Sequence, residues 1–179
     1  MNPYKYLPFE KYILISQLSA EEVRKRLADS IEPKKVFSLS PFEKYRAKPY
    51  EGSISGNEFT IKRIINYRNS FLPVIKGQIK EEMGQVSIEV YMRPATGVLI
   101  FLAFWFGIVI LACLTITVVA IVQFRQMLET GINPGAIIPF GMFIFGSLLI
   151  TLGFKSESGQ SKDFLKRLLN GQEVERNRK

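Results

Sequence analysis

Arg63, Tyr67, Arg68 and Asn69 stand within one short polar stretch, FTIKRIINYRNSFLP from Phe59 to Pro73. Two guanidiniums, a phenol and a carboxamide at that spacing can surround a phosphate or lipid headgroup through charge-assisted hydrogen bonds. Arg93, on a neighbouring strand, would complete such a clamp. The same arginines also fit a plain solvated strand face that meets no ligand.

Other chemistry finds little material. The chain has no His and one Cys, which excludes imidazole bases, imidazole or paired-Cys metal sites and an internal disulfide. There is no Gly-rich phosphate loop ending in Lys-Ser or Lys-Thr, and no GxGxxG. An acid–base or carboxylate-metal site would have to use Glu43, Glu51, Glu58, Glu81, Glu82 or Glu89, which read as turn and solvent-face residues. A Ser nucleophile would need a base other than His, and no SxxK is suitably placed. No cofactor, no metal and no catalytic residue is expected, and the chain reads as a non-enzyme.

The elements that must carry these residues follow from an uneven distribution of charge. Of 179 residues, 47% are hydrophobic, and the net charge is +8. The 31 residues between Arg93 and Arg125 contain no charge, nor do the 25 between Glu129 and Lys155. A bilayer core needs roughly 20 apolar helical residues. Two spans are therefore predicted, at about 98–122 and 136–154. The connector is short and carries the turn signal Asn133-Pro134-Gly135, so the spans form an antiparallel hairpin. Pro134 suits a first helical turn, and Pro139 either kinks the second helix slightly or helps to define its start.

Sixteen Lys and Arg precede Pro94 and seven follow Phe154, whereas the connector has only Arg125. Basic flanks favour the cytoplasmic side, so both termini are predicted to be cytoplasmic. The start, MNPYKYLPFEKYILI, lacks a basic region followed by a long apolar stretch, and no signal peptide is expected. Cys113 falls mid-span as a small hydrophobe. Ala103 and Gly107 form a small-xxx-small pair, as do Ser147 and Thr151, and Gly141 and Gly146 also permit close helix packing. Neither span carries an ionisable residue other than Cys113, which argues against a transporter or channel built from one copy.

Residues 9–93 alternate as a small α+β unit. Lys11 to Gln17 reads as a strand. Ser19 and Glu22 form a capping box, with Leu18 and Val23 as a hydrophobic staple, for a helix from Ala20 to about Ser30. Val23, Leu27 and Ile31 make its apolar stripe, and Pro33 ends it. Val36 to Lys48 reads as a weak strand and surface loop. Strands are predicted over Tyr50 to Ser55 and Glu58 to Ile65 around a Gly56-Asn57 turn, over Phe71 to Lys80, and over Gln85 to Arg93. In the last, Val86, Ile88, Val90 and Met92 face one way, and Ser87, Glu89, Tyr91 and Arg93 the other. After the second span, Phe164, Leu165, Leu168 and Leu169 form the apolar face of an amphipathic helix, capped by Ser161 and stopped by Gly171. It suits either the membrane interface, through Lys162, Lys166 and Arg167, or the open face of the sheet.

The expected fold class is α+β: a small antiparallel sheet with one covering helix, joined to a two-helix transmembrane hairpin and a C-terminal amphipathic helix. The corresponding domains are 1–95, 96–154 and 155–179. With its last helix closing the sheet, this order resembles a helix-grip lipid-binding fold with a hairpin inserted before that helix, a likeness of fold alone. The Phe59–Pro73 stretch, with Gly77-Gln78-Ile79, Met92-Arg93-Pro94 and Phe164-Leu165, resembles a group of small uncharacterised bacterial membrane proteins. These have an N-terminal cytoplasmic domain and a two-span hairpin, so the resemblance implies an architecture and no particular reaction; the expected location is a bacterial inner or equivalent membrane.

The basic excess is divided between both flanks and interleaved with acids, so nucleic acid is not an expected partner. The expected partners are the lipid bilayer and other membrane subunits or a second copy. The leading expectation is an accessory or scaffold protein acting through helix packing, with a membrane-apposed cytoplasmic domain. A lipid- or headgroup-binding module comes second, and a membrane enzyme using Glu and Arg third.

Overall fold

The computed structural model describes residues 7–33, 48–82, 84–125, 131 and 133–174. The protein is α+β, with a seven-stranded, mostly antiparallel sheet and two long apolar helices. It divides into two compact units, Met1–Ala95 with Gly153–Lys179, and Thr96–Leu152.

In the first unit, β1 (Glu10–Ser16) leads through Ser19 into α1 (Ala20–Ser30). The Ser19 hydroxyl accepts the Glu22 amide at 3.2 Å, as the capping pattern requires. Glu22 does not return the bond with its side chain, which instead pairs with Arg26 one turn on. A three-residue strand, β2 (Ile31–Pro33), follows directly and pairs parallel with β3 (Tyr50–Ser55). The β3–β4 hairpin turns at Gly56, whose φ of 57° is left-handed, into β4 (Glu58–Arg63). Next come β5 (Val74–Glu82) and β6 (Gln85–Arg93). The last strand, β7 (Gly171–Val174), lies against β1, giving the order β2-β3-β4-β5-β6-β1-β7. The predicted weak strand and loop after residue 34 fall outside the described residues up to position 47.

Strict alternation sorts the strands into two faces. Tyr12, Leu14, Tyr50, Phe59, Ile61, Ile75, Ile79, Val86, Ile88, Val90 and Met92 are buried, and their sequence neighbours are exposed or half-buried. The buried set joins Val23 and Leu27 of α1 and Phe154, Leu165 and Leu169 of the second long helix in one core. The sheet therefore has one covered face and one polar face. Gly77 is demanded by that core: opposite Phe59 in register, an added Cβ would lie 2.0 Å from the Phe59 ring. The ring fills the space left by the missing side chain.

The second unit contains α2 (Thr96–Val122), then a 3-10 turn at Pro134–Ile137 capped by Asn133, whose side chain accepts the Gly135 amide at 2.9 Å. Then α3 (Ile138–Leu168) begins, with Pro139 in its first turn. Both helices are long and apolar enough to cross a membrane, and only 11% of each apolar window is buried in the protein. That low burial distinguishes them from the core helices of a soluble domain. Hydroxyls inside the apolar stretches bond back to the preceding turn, Thr115 to the Leu111 carbonyl, Thr117 to Cys113 and Ser147 to Phe143.

One expectation needs correction. Ser161 caps no helix, because α3 runs through the polar stretch KSESGQSKD without a break. That stretch holds no proline, and its buried positions, Phe154, Glu157, Ser158, Ser161 and Leu165, keep helical spacing. The amphipathic C-terminal helix thus exists as the last turns of α3. Its end is set by Asn170, at a left-handed φ of 47°, and β7 follows at Gly171.

Candidate functional site

The polar residues of the first unit converge on one length of α3, from Gly153 to Ser161. Arg63 is the last residue of β4 and, in phase with Phe59 and Ile61, points to the covered face. Its guanidinium donates to Glu157 Oε2 at 2.9 Å. The Tyr67 hydroxyl donates to the other carboxylate oxygen, Oε1. Asn69, in the turn that enters β5, donates through Nδ2 to the Gly153 carbonyl at 3.0 Å, one helical turn earlier. Its own Oδ1 accepts the Phe71 amide at 2.9 Å, which stiffens the turn. An added Cβ on Gly153 would stand 2.9 Å from the Phe71 ring, so the glycine lets this turn lie close to the helix.

A second set of bonds closes the opposite side. Glu10 accepts from Lys155 at 2.8 Å and from the Ser158 hydroxyl at 3.1 Å. Further along, Ser16 donates to the Leu169 carbonyl at 2.6 Å and Arg26 to the Leu168 carbonyl at 3.2 Å, satisfying two carbonyls that the helix end would leave open. Lys162 and Lys166 pair with Glu173 of β7 at 2.5 and 2.7 Å. These contacts form a polar collar around α3, over a floor of Phe154, Leu165 and Leu169.

The electrostatics suit holding more than reacting. Glu157 is buried, with 3% of its side chain exposed, but faces two donors. Tyr67 is pushed above the usual phenol range, first by donating to Glu157 and then by burial. Burial also pushes up Tyr50, and pushes Tyr12 up strongly, with Glu10 and Glu173 adding to the latter effect. All three phenols are therefore protonated at neutral pH. For Glu173, burial alone would raise the carboxyl, but the hydrogen bonds and charges of Lys162 and Lys166 outweigh it and leave the group below its ordinary value. The Tyr12 hydroxyl is buried with no hydrogen-bond partner among the described residues.

The structure brings Arg63, Tyr67 and Asn69 together and separates them from Arg93. Arg93 ends β6 out of phase with Met92, on the polar face. Arg68 is exposed in the loop between β4 and β5. Sequence reasoning missed Glu157, Gly153, Glu10 and Lys155, though the spacing of Phe154, Glu157, Ser158 and Ser161 continues the apolar stripe of the last helical turns. No group of three or more His, Cys, Asp or Glu side chains that could hold a metal is found among the described residues. Of the carboxylates considered for chemistry, Glu43 and the side chain of Glu82 fall outside the described set.

In the hairpin unit, Gly146 is a packing position: an added Cβ would lie 3.5 Å from Phe106 and 3.8 Å from Trp105 of α2. Phe106 and Phe143 meet edge to face at 5.4 Å, and Val109 and Ile150 are buried. Ser147 and Thr151 are half-buried on the same stretch of α3. Ala103, Gly107 and Gly141 are exposed, and nothing among the described residues lies within 4 Å of a Cβ added to either glycine. Compared with protein-family models, curated proteins and solved structures, the chain matches none.

Proposed function

We propose that the chain is a non-enzymatic integral membrane protein that serves as an accessory or scaffold, with a membrane-apposed cytoplasmic sheet domain. The observation that carries this reading is the division of small residues within the hairpin. Gly146 is occupied by the packing of α2 on α3, whereas Ala103, Gly107 and Gly141 stay open. In lipid, close approach of helices depends on such small positions, so the open ones suit a further helix from another subunit or a second copy. Placement of both termini on one side is supported by the pairing of β1 with β7, which ties the segments before and after the hairpin into one sheet. The cytoplasmic assignment rests on the basic flanks.

Ala103→Cys and Gly107→Cys variants test the reading in native membranes. Disulfide or bifunctional cross-linking should give a defined larger species, and the protein extracted in mild detergent should exceed monomer size. A lone monomer that cross-links to nothing from either position would overturn the proposal.

A further inference from the structure

The polar face of the sheet carries charges that the collar does not use, and they are arranged unevenly along the strands. In register across β1, β6, β5, β4 and β3 run Lys11, Tyr91, Lys76, Thr60 and Ser53. Every member of that row is exposed, Tyr91 to 38%. The next row contains Arg93, Val74, Lys62 and Glu51. This half of the face thus holds Lys11, Lys62, Lys76 and Arg93 against two acids at its β3–β2 end, Glu51 and Glu32, which stand in register. None of the four bases has a hydrogen-bond or ion-pair partner among the described residues. The other half is mixed, with Glu58 and Glu89 present and Lys80 paired to Glu89 at 2.9 Å.

The basic half lies at the end of β6 that continues into α2. Only Pro94 and Ala95 separate Arg93 from Thr96, where the apolar helix starts. Three extended residues reach at most about 10 Å, which is about one Debye length at physiological salt. Neighbouring strands are about 5 Å apart, so Lys11 and Lys76 flank Tyr91 at about 5 Å on either side. Two ammonium groups around a phenol that can donate, with a guanidinium two residues along, fit an array of phosphate headgroups and not a single small anion.

We propose that this basic half of the sheet face, Lys11, Lys62, Lys76, Tyr91 and Arg93, is a docking surface for the anionic lipid surface of the bilayer. The inference rests on α2 entering a membrane, as the proposed function requires. It assigns to the domain a lipid preference that helix packing alone does not supply. Its residues are separate from Arg63, Tyr67 and Asn69, which the collar holds.

The full chain, reconstituted in nanodiscs of phosphatidylcholine with or without phosphatidylglycerol, provides the test. Amine acylation rates are followed lysine by lysine by mass spectrometry, with exposed Lys25 of α1 as reference. Lys11, Lys62 and Lys76 should react several-fold more slowly in the anionic discs, high salt should restore them, and Lys25 should not change. A K11Q/K62Q/K76Q variant should retain fewer phosphatidylglycerol molecules than the parent in native mass spectra. Equal rates in both discs, equal slowing at Lys25, or unchanged lipid retention in the variant would each overturn the proposal. So would protection by a single-stranded oligonucleotide in neutral discs with none from phosphatidylglycerol, which would make the surface one for nucleic acid. Failure of the membrane reading itself would look different, because the chain would then not remain with the discs at all.

Discussion

Glu157 and Arg63 form an unequal pair, and the inequality has a measurable consequence. The Glu157 side chain is 3% exposed and that of Arg63 29%. Removing the arginine leaves a buried carboxylate with the Tyr67 hydroxyl as its one remaining side-chain donor among the described residues. Removing the carboxylate charge leaves a guanidinium that water can still reach. Stranding a buried charge costs more than losing a charge-assisted hydrogen bond. Arg63→Met should therefore lower stability by about 2 kcal/mol, after allowing for its partial exposure, and Glu157→Gln by about 1 kcal/mol. Thermal unfolding of the two variants in one detergent checks this, and a more damaging Glu157 substitution would contradict it. Both effects would be on stability, since the pair holds α3.

At the scale of elements, β7 is tied to α3 through one carboxylate. Glu173 receives both Lys162 and Lys166, and its pKa is lowered from 4.5. A depressed acid contributes stability that is complete above its unfolded value and is lost as pH falls through the folded one. Amide exchange in residues 171–174 should accordingly accelerate as pH drops below the ordinary glutamate range, after correction for intrinsic rates. Glu173→Gln should show the faster exchange already at neutral pH and lose the acid dependence, with a cost of roughly 0.5–1 kcal/mol for so accessible a pair. Exchange in the variant that stayed at parental rates would remove Glu173 from this role.

The elements also show what sequence periodicity could and could not reveal. The helix α1, the Gly56-Asn57 hairpin and β6 were legible because each is determined by near neighbours: a cap, a turn residue, an alternation of nine residues. Even the parity that puts Arg63 and Arg93 on opposite faces could be counted along their strands. The two edge strands were not legible. β2 is three residues ending in Pro33, and β7 reads GQEV without alternation. Each exists through pairing with a segment remote in sequence. β5 starts at Val74 and not at Phe71, because Phe71 belongs to the turn stiffened by Asn69 and lies against Gly153 of α3. The collar was half visible: its arginine, phenol and amide stood out, but their partner carboxylate lay more than eighty residues away in a stretch that resembled a break between helices.

For the whole molecule, the decisive fact is that the first unit is assembled from both ends of the chain. Residues 1–95 alone lack Phe154, Leu165 and Leu169, each with 0% exposure in the complete unit. Losing several large core side chains costs about 2–5 kcal/mol apiece, which exceeds a small domain's margin. A fragment ending at Ala95 should give a poorly dispersed amide spectrum and aggregate. Replacing residues 96–152 by a flexible Gly/Ser linker should restore a soluble, dispersed fold. A folded 1–95 fragment would show that the α3 segment is dispensable to the core.

The position of β7 in the chain imposes an order on biosynthesis. The strand that closes the sheet and the helical turns that fill its core leave the ribosome only after both apolar helices have done so. Until then β1 is an open edge and the inner face of the sheet is uncovered, a state that invites aggregation and chaperone binding. If the hairpin spans a bilayer as proposed, threading would return the C-terminal turns of α3 to the side that holds β1. On the proposed membrane reading, sheet closure would follow only from correct insertion. A correctly threaded chain would then complete its domain, and a mis-threaded one would be left with β1 unpaired by β7.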